Sequence, residues 1–194
     1  MTLIDFNFEN TAPLKPGSIL LSEPFANDEY FSRSVIFICD INEDGSFGFV
    51  LNKYIENEIG DFIEDFPSIS TEISIGGPVD VSNLFYIHSL GNEIPNALPI
   101  SKGLYIGGDF EKVKELILID ADKSKQIRFF VGYSGWEKGQ LEGEIKDKSW
   151  IVLNDVPGDQ ILDTSKDDIW TETMESLGGK YKVMSQFPQN PSDN

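Results

Sequence analysis

A segment that is apolar on both faces, followed at once by a tight turn, constrains the fold of this chain more than any other feature. Residues 34–41 are β-branched and apolar without alternation, which is typical of a strand buried on both sides. Residues 42–45, Asn-Glu-Asp-Gly, have the chemistry of a turn, and residues 47–51 are apolar again. The pattern therefore predicts a β-hairpin whose first strand lies in the centre of a sheet.

Further strands and fewer helices are predicted along the rest of the chain. Strand-like segments lie at residues 19–21, 73–75, 84–88, 104–106, 127–133 and 150–153. Helices are predicted at residues 59–66, 110–118 (with Asp109 as the N-cap), 139–145 and 165–177. Because strands outnumber helices and cluster as hairpins, we predict an α+β (α/β) fold, a mixed, largely antiparallel β-sheet with peripheral helices in a single compact domain.

The chain has 194 residues, a usual length for one domain. Residues 1–16 are predicted to form an N-terminal surface segment, residues 17–185 the domain, and residues 186–194 a flexible tail. The N-terminus lacks the pattern of a signal peptide, and no apolar run approaches the about 20 residues of a membrane helix. We therefore expect a cytoplasmic protein that makes no membrane contact.

Acidic residues dominate the charge of the chain. The formal net charge is −18, and −13 of it falls on residues 1–100. Nucleic-acid affinity comes largely from Lys and Arg side chains that neutralise phosphates, so we expect no direct, tight binding of DNA or RNA. No helix-turn-helix pattern is evident either. A nucleic-acid-associated protein is kept as an alternative, because the positive charge concentrates in residues that could form a basic patch: Lys112, Lys114, Lys123, Lys125 and Arg128.

The sequence holds few residues suited to covalent or metal chemistry. Cys39, the single cysteine, lies in an apolar run and is predicted to be buried and unreactive. His88, the single histidine, ends an apolar strand and is expected to be a hydrogen-bonded structural residue or a pocket wall, not a general base. One histidine and one distant cysteine cannot build a zinc site, and no nucleophile-elbow sequence occurs. We therefore predict no catalytic residue, no metal and no cofactor.

Three blocks of sequence carry a family resemblance. The first comprises residues 31–35, Phe-Ser-Arg-Ser-Val, and residues 45–52, Gly-Ser-Phe-Gly-Phe-Val-Leu-Asn. The second begins with Gly-Gly-Pro-Val at residues 76–79. The third, residues 130–142, contains Gly-Tyr-Ser-Gly-Trp and ends in Gly-Gln-Leu-Glu. In order and spacing, over residues 17–185, these blocks resemble the YqgE/AlgH family, with Ser134 where that family more often has Ala.

The resemblance implies a bacterial cytosolic protein with a mixed α/β fold. It implies no established enzymatic activity. The AlgH name comes from a proposed role in the transcriptional regulation of alginate synthesis, which describes a phenotype and identifies no DNA-binding element. The resemblance therefore points to a regulatory or binding protein without naming its ligand.

The first and third blocks supply the candidate ligand- or partner-binding residues. We expect the Arg33 segment and the loop at residues 132–140 to meet at one edge of the sheet and to line the main cleft. Arg33 would supply a fork for an anion, and Tyr133 with a partly exposed Trp136 an aromatic face. The candidate residues are Ser32, Arg33, Asn52, Tyr133, Trp136 and Gln140.

A structural interpretation of the same residues stays open. Arg33 could form an ion pair with a nearby carboxylate, with Glu142 or Glu144 as examples. The glycine-rich third block could be a tight strand-to-helix connection whose aromatic side chains fill the core. Trp150 and Trp170 are expected to stabilise the fold in either case.

The leading functional prediction is a non-enzymatic, cytosolic regulatory or binding protein. It would bind a small anionic or planar molecule, or a protein partner, and influence transcription only indirectly. A carboxylate-based, Mg²⁺-assisted enzyme is the alternative from another class, because oxygen-rich sites suit that ion and the chain is rich in acids. Carboxylates converging in one cleft would favour it. The oligomeric state is not predicted.

Overall fold

The computed structural model of the chain describes residues 7–26, 28, 30–69, 71–166 and 168–188. Within these ranges the strands are β1 (Ile19–Ser22), β2 (Val35–Asn42), β3 (Gly45–Val50), β4 (Tyr54–Ile55), β5 (Ile73–Ile75), β6 (Val79–His88), β7 (Leu98–Ser101), β8 (Leu104–Ile106), β9 (Ile127–Glu137) and β10 (Trp150–Leu153). The α-helices are α1 (Phe110–Ile119), α2 (Gln140–Lys146), α3 (Gly158–Leu162), α4 (Ile169–Ser176) and α5 (Gly179–Ser185).

The strands form one extended sheet in the order β10-β1-β2-β3-β9-β6-β8-β7, with β4 and β5 attached to it through β9. All pairings are antiparallel except that of β5 with β9. The predicted mixed, largely antiparallel sheet with peripheral helices is therefore confirmed. Within the described part of the chain, none of the helices has the length and apolar character needed to span a bilayer.

β2 carries apolar side chains on both faces, so the sheet must be covered on both sides. Its residues alternate between two cores: Val35 and Phe37 face a first core that also contains Trp170. Ile36 and Ile38 face a core on the other side. Since successive side chains of a strand point to opposite faces, an uninterrupted apolar strand requires cover on both. The prediction of a central strand is confirmed.

Three groups of helices cover the two faces of the sheet. Helices α3, α4 and α5 pack on the first core through Ile161, Leu162, Trp170, Met174 and Met184. On the other side, α1 covers a second core that includes Val113, Ile117 and Phe129. α2 covers a third core through Leu141. The helices thus lie at the periphery because their apolar stripes are single-sided, whereas the central strands are apolar on both sides.

Helix starts follow the capping signals in the sequence. The side chain of Asp109 accepts hydrogen bonds from the backbone N–H groups of Glu111 and Lys112, which confirms it as the N-cap of α1. Asp168 caps α4 in the same way through Thr171. The helix predicted over residues 59–66 is wrong in extent, because only a single 3₁₀ turn forms at Ile59–Asp61.

β9 is longer than predicted. It runs through the whole Gly-Tyr-Ser-Gly-Trp block to Glu137, so residues 132–137 form a strand and the expectation of a loop there is wrong. Gly132 adopts a positive φ of 67°. A Cβ on Gly76 would lie 2.2 Å from the carbonyl oxygen of Gly132. The glycines of the second and third blocks therefore permit a close approach of two backbones.

The chain ends attach to the sheet where the structure describes them. The side chain of Asn10 accepts a hydrogen bond from the N–H of Val152 and donates one to the carbonyl oxygen of Trp150, each at 2.8 Å. Asn10 thereby satisfies backbone groups on the outer edge of β10. At the other end, the ring of Phe187 packs on Phe25 with centroids 5.4 Å apart. Residues 1–6 and 189–194 of the predicted terminal segments lie outside the described residues.

Candidate functional site

A cleft of about 720 Å³ opens where β3, β9 and β6 meet. Its walls belong to strand residues, to the turn between β2 and β3 and to the start of α2. Its lining residues are Asn42, Asp44, Gly45, Ser46, Phe47, Phe49, Val79, Phe85, Ile106, Tyr133, Gly135, Trp136, Glu137 and Gln140. The volume is in the range of small-molecule sites in proteins.

The register of β3 against β9 builds the floor of this cleft. Phe47 pairs with Gly135, and Gly45 pairs with Glu137. Because the side-chain direction alternates along a strand, Phe47 shares its face with Gly45, and Tyr133 shares its face with Gly135 and Glu137. Gly135 contributes no side chain, and a Cβ there would lie 3.2 Å from a ring carbon of Tyr133. The glycine therefore leaves room for the Tyr133 ring.

An aromatic cluster forms the floor. The ring of Tyr133 makes edge-to-face contacts with Phe47 and Phe85 at centroid distances of 6.0 and 5.7 Å. Phe49 lies behind them, in edge contact with Phe47 at 6.2 Å. Phe47, Phe85 and Tyr133 are only partly buried, whereas Phe49 is fully buried. The cleft thus exposes aromatic surface that is fixed in position from below by the first core.

Polar and acidic groups surround this floor. Gln140, the first residue of α2, accepts a hydrogen bond from the N–H of Glu137 at 3.0 Å and donates one to Glu144 at 2.9 Å. Gln140 is therefore held in place at the junction of β9 and α2. Asp44 and Glu137 place two exposed carboxylates at the mouth. Among the described residues that line the cleft there is no Lys, Arg or His.

The six candidate residues do not line one cavity. Tyr133, Trp136 and Gln140 are among the residues of the cleft, whereas Ser32, Arg33 and Asn52 are not. The latter three lie in the turn before β2 and directly after β3. The two segments do touch elsewhere, because the ring of Phe31 stacks on that of Trp136 at 6.3 Å. The anion fork expected from Arg33 is consequently not part of the aromatic cleft.

Arg33 is engaged in a structural arrangement of its own. It adopts a positive φ of 49°, and its guanidinium lies 4.9 Å from the ring centroid of Trp170. It donates to the carbonyl oxygen of Phe187, while its Nε is buried without a hydrogen-bond partner. The pairing with Glu142 or Glu144 that the alternative interpretation proposed is absent from the described ion pairs.

Asn52 holds the Arg33 turn in place. Its amide donates to the carbonyl oxygen of Arg33 at 2.7 Å, and its side-chain oxygen accepts from the N–H of Val35 at 2.9 Å. These two hydrogen bonds connect the end of β3 to the start of β2. They account for Asn52 as a structural residue of the hairpin.

The expectation of a partly exposed Trp136 is wrong. Its side chain is 5% exposed and packs in the third core, on the face opposite to that of Tyr133. Its indole N–H donates to Glu144 at 2.9 Å, and the same carboxylate oxygen accepts from the indole of Trp150 at 2.7 Å. The expected burial of Trp150 and Trp170 is confirmed, at 3% and 0% exposure. Trp136 is buried because it alternates with two residues that face the cleft.

The basic patch proposed for a nucleic-acid partner does not form as a group of free cations. Arg128 is completely buried. The four lysines each form an ion pair with an acidic side chain: Lys112 with Glu115, Lys114 with Glu111, Lys123 with Glu93 and Lys125 with Asp122. The positive charge of these lysines is therefore largely compensated by the neighbouring carboxylates.

The side chain of Arg128 is buried, and the hydrogen bonds that it donates within the described part of the chain all go to neutral groups. Its guanidinium donates to the carbonyl oxygens of Ile161 and Asp163 at 2.7 and 2.9 Å, and to that of Leu51. It also donates to the hydroxyls of Ser74 and Tyr54 at 3.0 and 3.2 Å. Burial lowers the pKa of Arg128 from its ordinary value. The fork therefore joins β9 to β5, to the end of β3 and to the end of α3.

His88 and Cys39 occupy structural positions. The ring of His88 accepts from the N–H of Leu90 at 3.2 Å, so its other nitrogen donates to the carbonyl oxygen of Gly107 at 3.1 Å. Burial lowers the pKa of His88 and raises that of the Cys39 thiol. The expectation of a hydrogen-bonded histidine and a buried cysteine is confirmed. In the described ranges, no three His, Cys, Asp or Glu side chains are grouped so that they could hold a metal ion.

The residues that sequence reasoning missed are Phe47, Phe85, Asp44 and Glu137. A signal for Phe47 existed, because Gly45, Phe47 and Phe49 alternate along a strand that the hairpin pattern predicts. For Phe85 and Glu137 the relevant information was the pairing of β9 with β6 and β3, which connects distant parts of the chain.

Comparison with known proteins agrees with this fold. A UPF0301 protein from Bacteroides thetaiotaomicron is 42% identical over 179 residues, covering 92% of this chain and 90% of that protein. A UPF0301 protein from Parabacteroides distasonis is 44% identical over 177 residues, with coverage of 90% and 89%. The crystal structure of protein DIP2367 from Corynebacterium diphtheriae superimposes with a TM-score of 0.74 at 26% identity, over 93% of this chain and 95% of the other.

A fold-level likeness extends to the solution structure of the AlgH protein from Pseudomonas aeruginosa. Its TM-score is 0.70 at 20% identity, over 93% of this chain and 98% of the other. A family model described as AlgH-like matches residues 19–182. Together with the curated relatives, this match shows that the chain belongs to the AlgH-like family.

Proposed function

We propose that this protein is a non-enzymatic, cytoplasmic binding protein whose cleft between β3, β9 and β6 receives the planar or apolar part of a small molecule. The observation that carries the proposal is the partly exposed aromatic floor of Phe47, Phe85 and Tyr133 inside a cleft of about 720 Å³. Sites for small molecules are concave and mostly apolar, with a few fixed polar groups. Gln140 is one such group, because β9 and Glu144 orient its amide.

The binding role fits the chemistry of the remaining residues better than catalysis does. His88 uses both ring nitrogens in hydrogen bonds to the backbone, and Cys39 is buried among apolar side chains. Neither lines the cleft. A regulatory effect, including an indirect one on transcription, would then follow from ligand occupancy and not from contact with DNA.

A fluorescent aromatic probe tests the proposal. N-phenyl-1-naphthylamine is neutral and brightens in apolar surroundings, so saturable enhancement by the protein reports the cleft. Val79 lines the cleft and is 37% exposed, and Val79→Trp would place an indole in it. We expect this variant to bind the probe about tenfold more weakly, which corresponds to about 1.4 kcal/mol.

Val81→Trp is the matched control. Val81 lies two residues further along β6, is 57% exposed and does not line the cleft. It adds the same side chain to the same strand and should leave probe binding as it is in the wild type. Thermal melting of all three proteins verifies that they are folded. No saturable binding to the wild type, or equal losses in the two variants, would refute the cleft as the site.

A further inference from the structure

The charges at the mouth of the cleft have one sign. Asp44 precedes Gly45, and Gly45 pairs with Glu137, so the two acids lie at neighbouring strand ends on one rim. Both are exposed, and neither carboxylate accepts a hydrogen bond or forms an ion pair within the described part of the chain. Lys138 follows Glu137 but is not among the lining residues.

The acidic rim favours a positively charged ligand, and the aromatic floor of the cleft favours a positive charge as well. The faces of aromatic rings carry negative electrostatic potential and attract ammonium and guanidinium groups. The partly buried rings of Phe47, Phe85 and Tyr133 line the same cleft as the two carboxylates. An anionic ligand would meet two like charges and no cation in this cleft, because Arg33 lies elsewhere. The expectation of an anionic ligand from the sequence thus loses its basis.

We propose that the cleft selects ligands in which a positively charged nitrogen is attached to an aromatic or apolar body. The body would lie on Phe47, Phe85 and Tyr133, and the ammonium or guanidinium group would lie at Asp44 and Glu137. This inference rests on the proposed function of the cleft. It adds the chemical class of the ligand, which the aromatic floor alone does not determine.

Three probes that share one body separate charge from shape. Naphthylmethylammonium is the cation, naphthalenemethanol the neutral analogue and naphthoate the anion, and each competes with N-phenyl-1-naphthylamine for the cleft. Exposed ion pairs and cation–π contacts are individually weak, so we expect the cation to bind about tenfold more tightly than the alcohol. Naphthoate should bind more weakly than the alcohol. Raising the salt concentration should reduce the advantage of the cation.

The overall charge of −18 could by itself attract any cation, and a charge-matched pair of variants excludes this explanation. Asp44→Asn/Glu137→Gln removes two charges from the rim. Glu56→Gln/Glu64→Gln removes two exposed charges that do not line the cleft. We expect the ratio of cation to alcohol affinity to fall to about one in the rim variant and to stay near tenfold in the control.

Each outcome has a distinct meaning. A wild-type protein that binds alcohol and cation equally overturns the charge selectivity, while the cleft stands as a binding site. Equal loss of selectivity in the rim and control variants also overturns it, because the cause is then the general field. If neither the fluorescent probe nor any competitor binds, the proposed function itself fails.

The cation could belong to a free amine or to a lysine side chain of a partner protein. A blocked Trp-Lys dipeptide, acetylated and amidated, carries the same chemistry in peptide form. If it competes more strongly than naphthylmethylammonium, the cleft selects a peptide cation; if less strongly, a free amine. Both results support the proposal, and failure of both ligands to exceed the neutral alcohol overturns it.

Discussion

Replacing Arg128 by methionine would remove the buried cation that connects β9 to three other parts of the fold. Methionine is apolar, unbranched and flexible, so it keeps the apolar stem of the side chain while it removes every hydrogen-bond donor of the guanidinium. The backbone carbonyls of Leu51, Ile161 and Asp163 would lose their donor. The hydroxyls of Ser74 and Tyr54 would lose a partner as well.

The magnitude follows from the cost of unpaired buried groups. A buried acceptor left without a donor costs about 1–3 kcal/mol. The Asp163 carbonyl lies in a partly buried contact that water can replace, whereas the contacts to Leu51 and Ile161 are fully buried. We expect Arg128→Met to lower the free energy of unfolding by about 4 kcal/mol. For a chain of this size, that loss corresponds to a fall in Tm of about 12 °C.

Arg128→Lys refines the test. Lysine keeps the charge but has three donors on one atom, so it cannot reproduce the planar fork. We expect an intermediate loss of about 2–3 kcal/mol. Lys125→Met is the control, because Lys125 is exposed and pairs only with Asp122 at the surface. It should change stability by no more than about 0.5 kcal/mol.

Urea unfolding followed by tryptophan fluorescence measures these values, since the three tryptophans are all buried. The dependence of the free energy of unfolding on urea concentration should be the same in all variants, so that the urea concentration at the midpoint of unfolding reports stability. If Arg128→Met were within about 1 kcal/mol of the wild type, the buried carbonyls would not depend on the guanidinium, and the reasoning would be refuted.

Four further predictions follow from named contacts. Glu144→Leu should cost about 2–4 kcal/mol because the indoles of Trp136 and Trp150 lose their shared acceptor, and Glu144→Gln clearly less; equal losses in urea unfolding would contradict this. Burial lowers the pKa of His88 in the folded protein below 6.5, so the unfolded state binds more protons as the pH falls and the folded state loses stability. His88→Gln should therefore reduce the change in the free energy of unfolding between about pH 7 and 5. An equal change with pH in the wild type and the variant would rule this out. The Cys39 thiol, whose pKa burial raises, should react with a thiol reagent in the native protein only as fast as the protein opens, and labelling at the rate of the unfolded chain would oppose it. The purified protein should show no submicromolar complex with duplex DNA at physiological salt in a gel-shift assay, and a tight complex that weakens steeply with salt would overturn that expectation.

The parts of the fold that local patterns encode could be predicted. β2 was identifiable because a strand buried on both faces is apolar without alternation, and the turn at residues 42–45 requires the next strand to pair with it. α1 was identifiable because Asp109 and the spacing of Val113 and Ile117 are features of one short segment. The three family blocks were visible for the same reason, since each is continuous in sequence.

The candidate site could be predicted only in part. Tyr133 and Gln140 were selected from the glycine–aromatic block, and they do lie at the cleft. The orientation of Trp136 was missed because the block was interpreted as a loop, whereas in a strand its side chain alternates with Tyr133 and Gly135 to the opposite face. Once β9 is known to continue to Glu137, the burial of Trp136 follows.

What the sequence alone determined is therefore the hairpin of β2 and β3, helix α1, the mixed antiparallel class of the fold and the family, because these depend on residues that are close together in the chain. Only the tertiary structure decided which groups the two arginines contact. Arg33 binds the carbonyl of Phe187, 154 residues away, and Arg128 binds that of Ile161, 33 residues away. The cleft likewise needs Phe85 from β6 beside Tyr133 from β9. Such contacts depend on strand order and register, and loop closure over these distances leaves no periodic signal in the sequence.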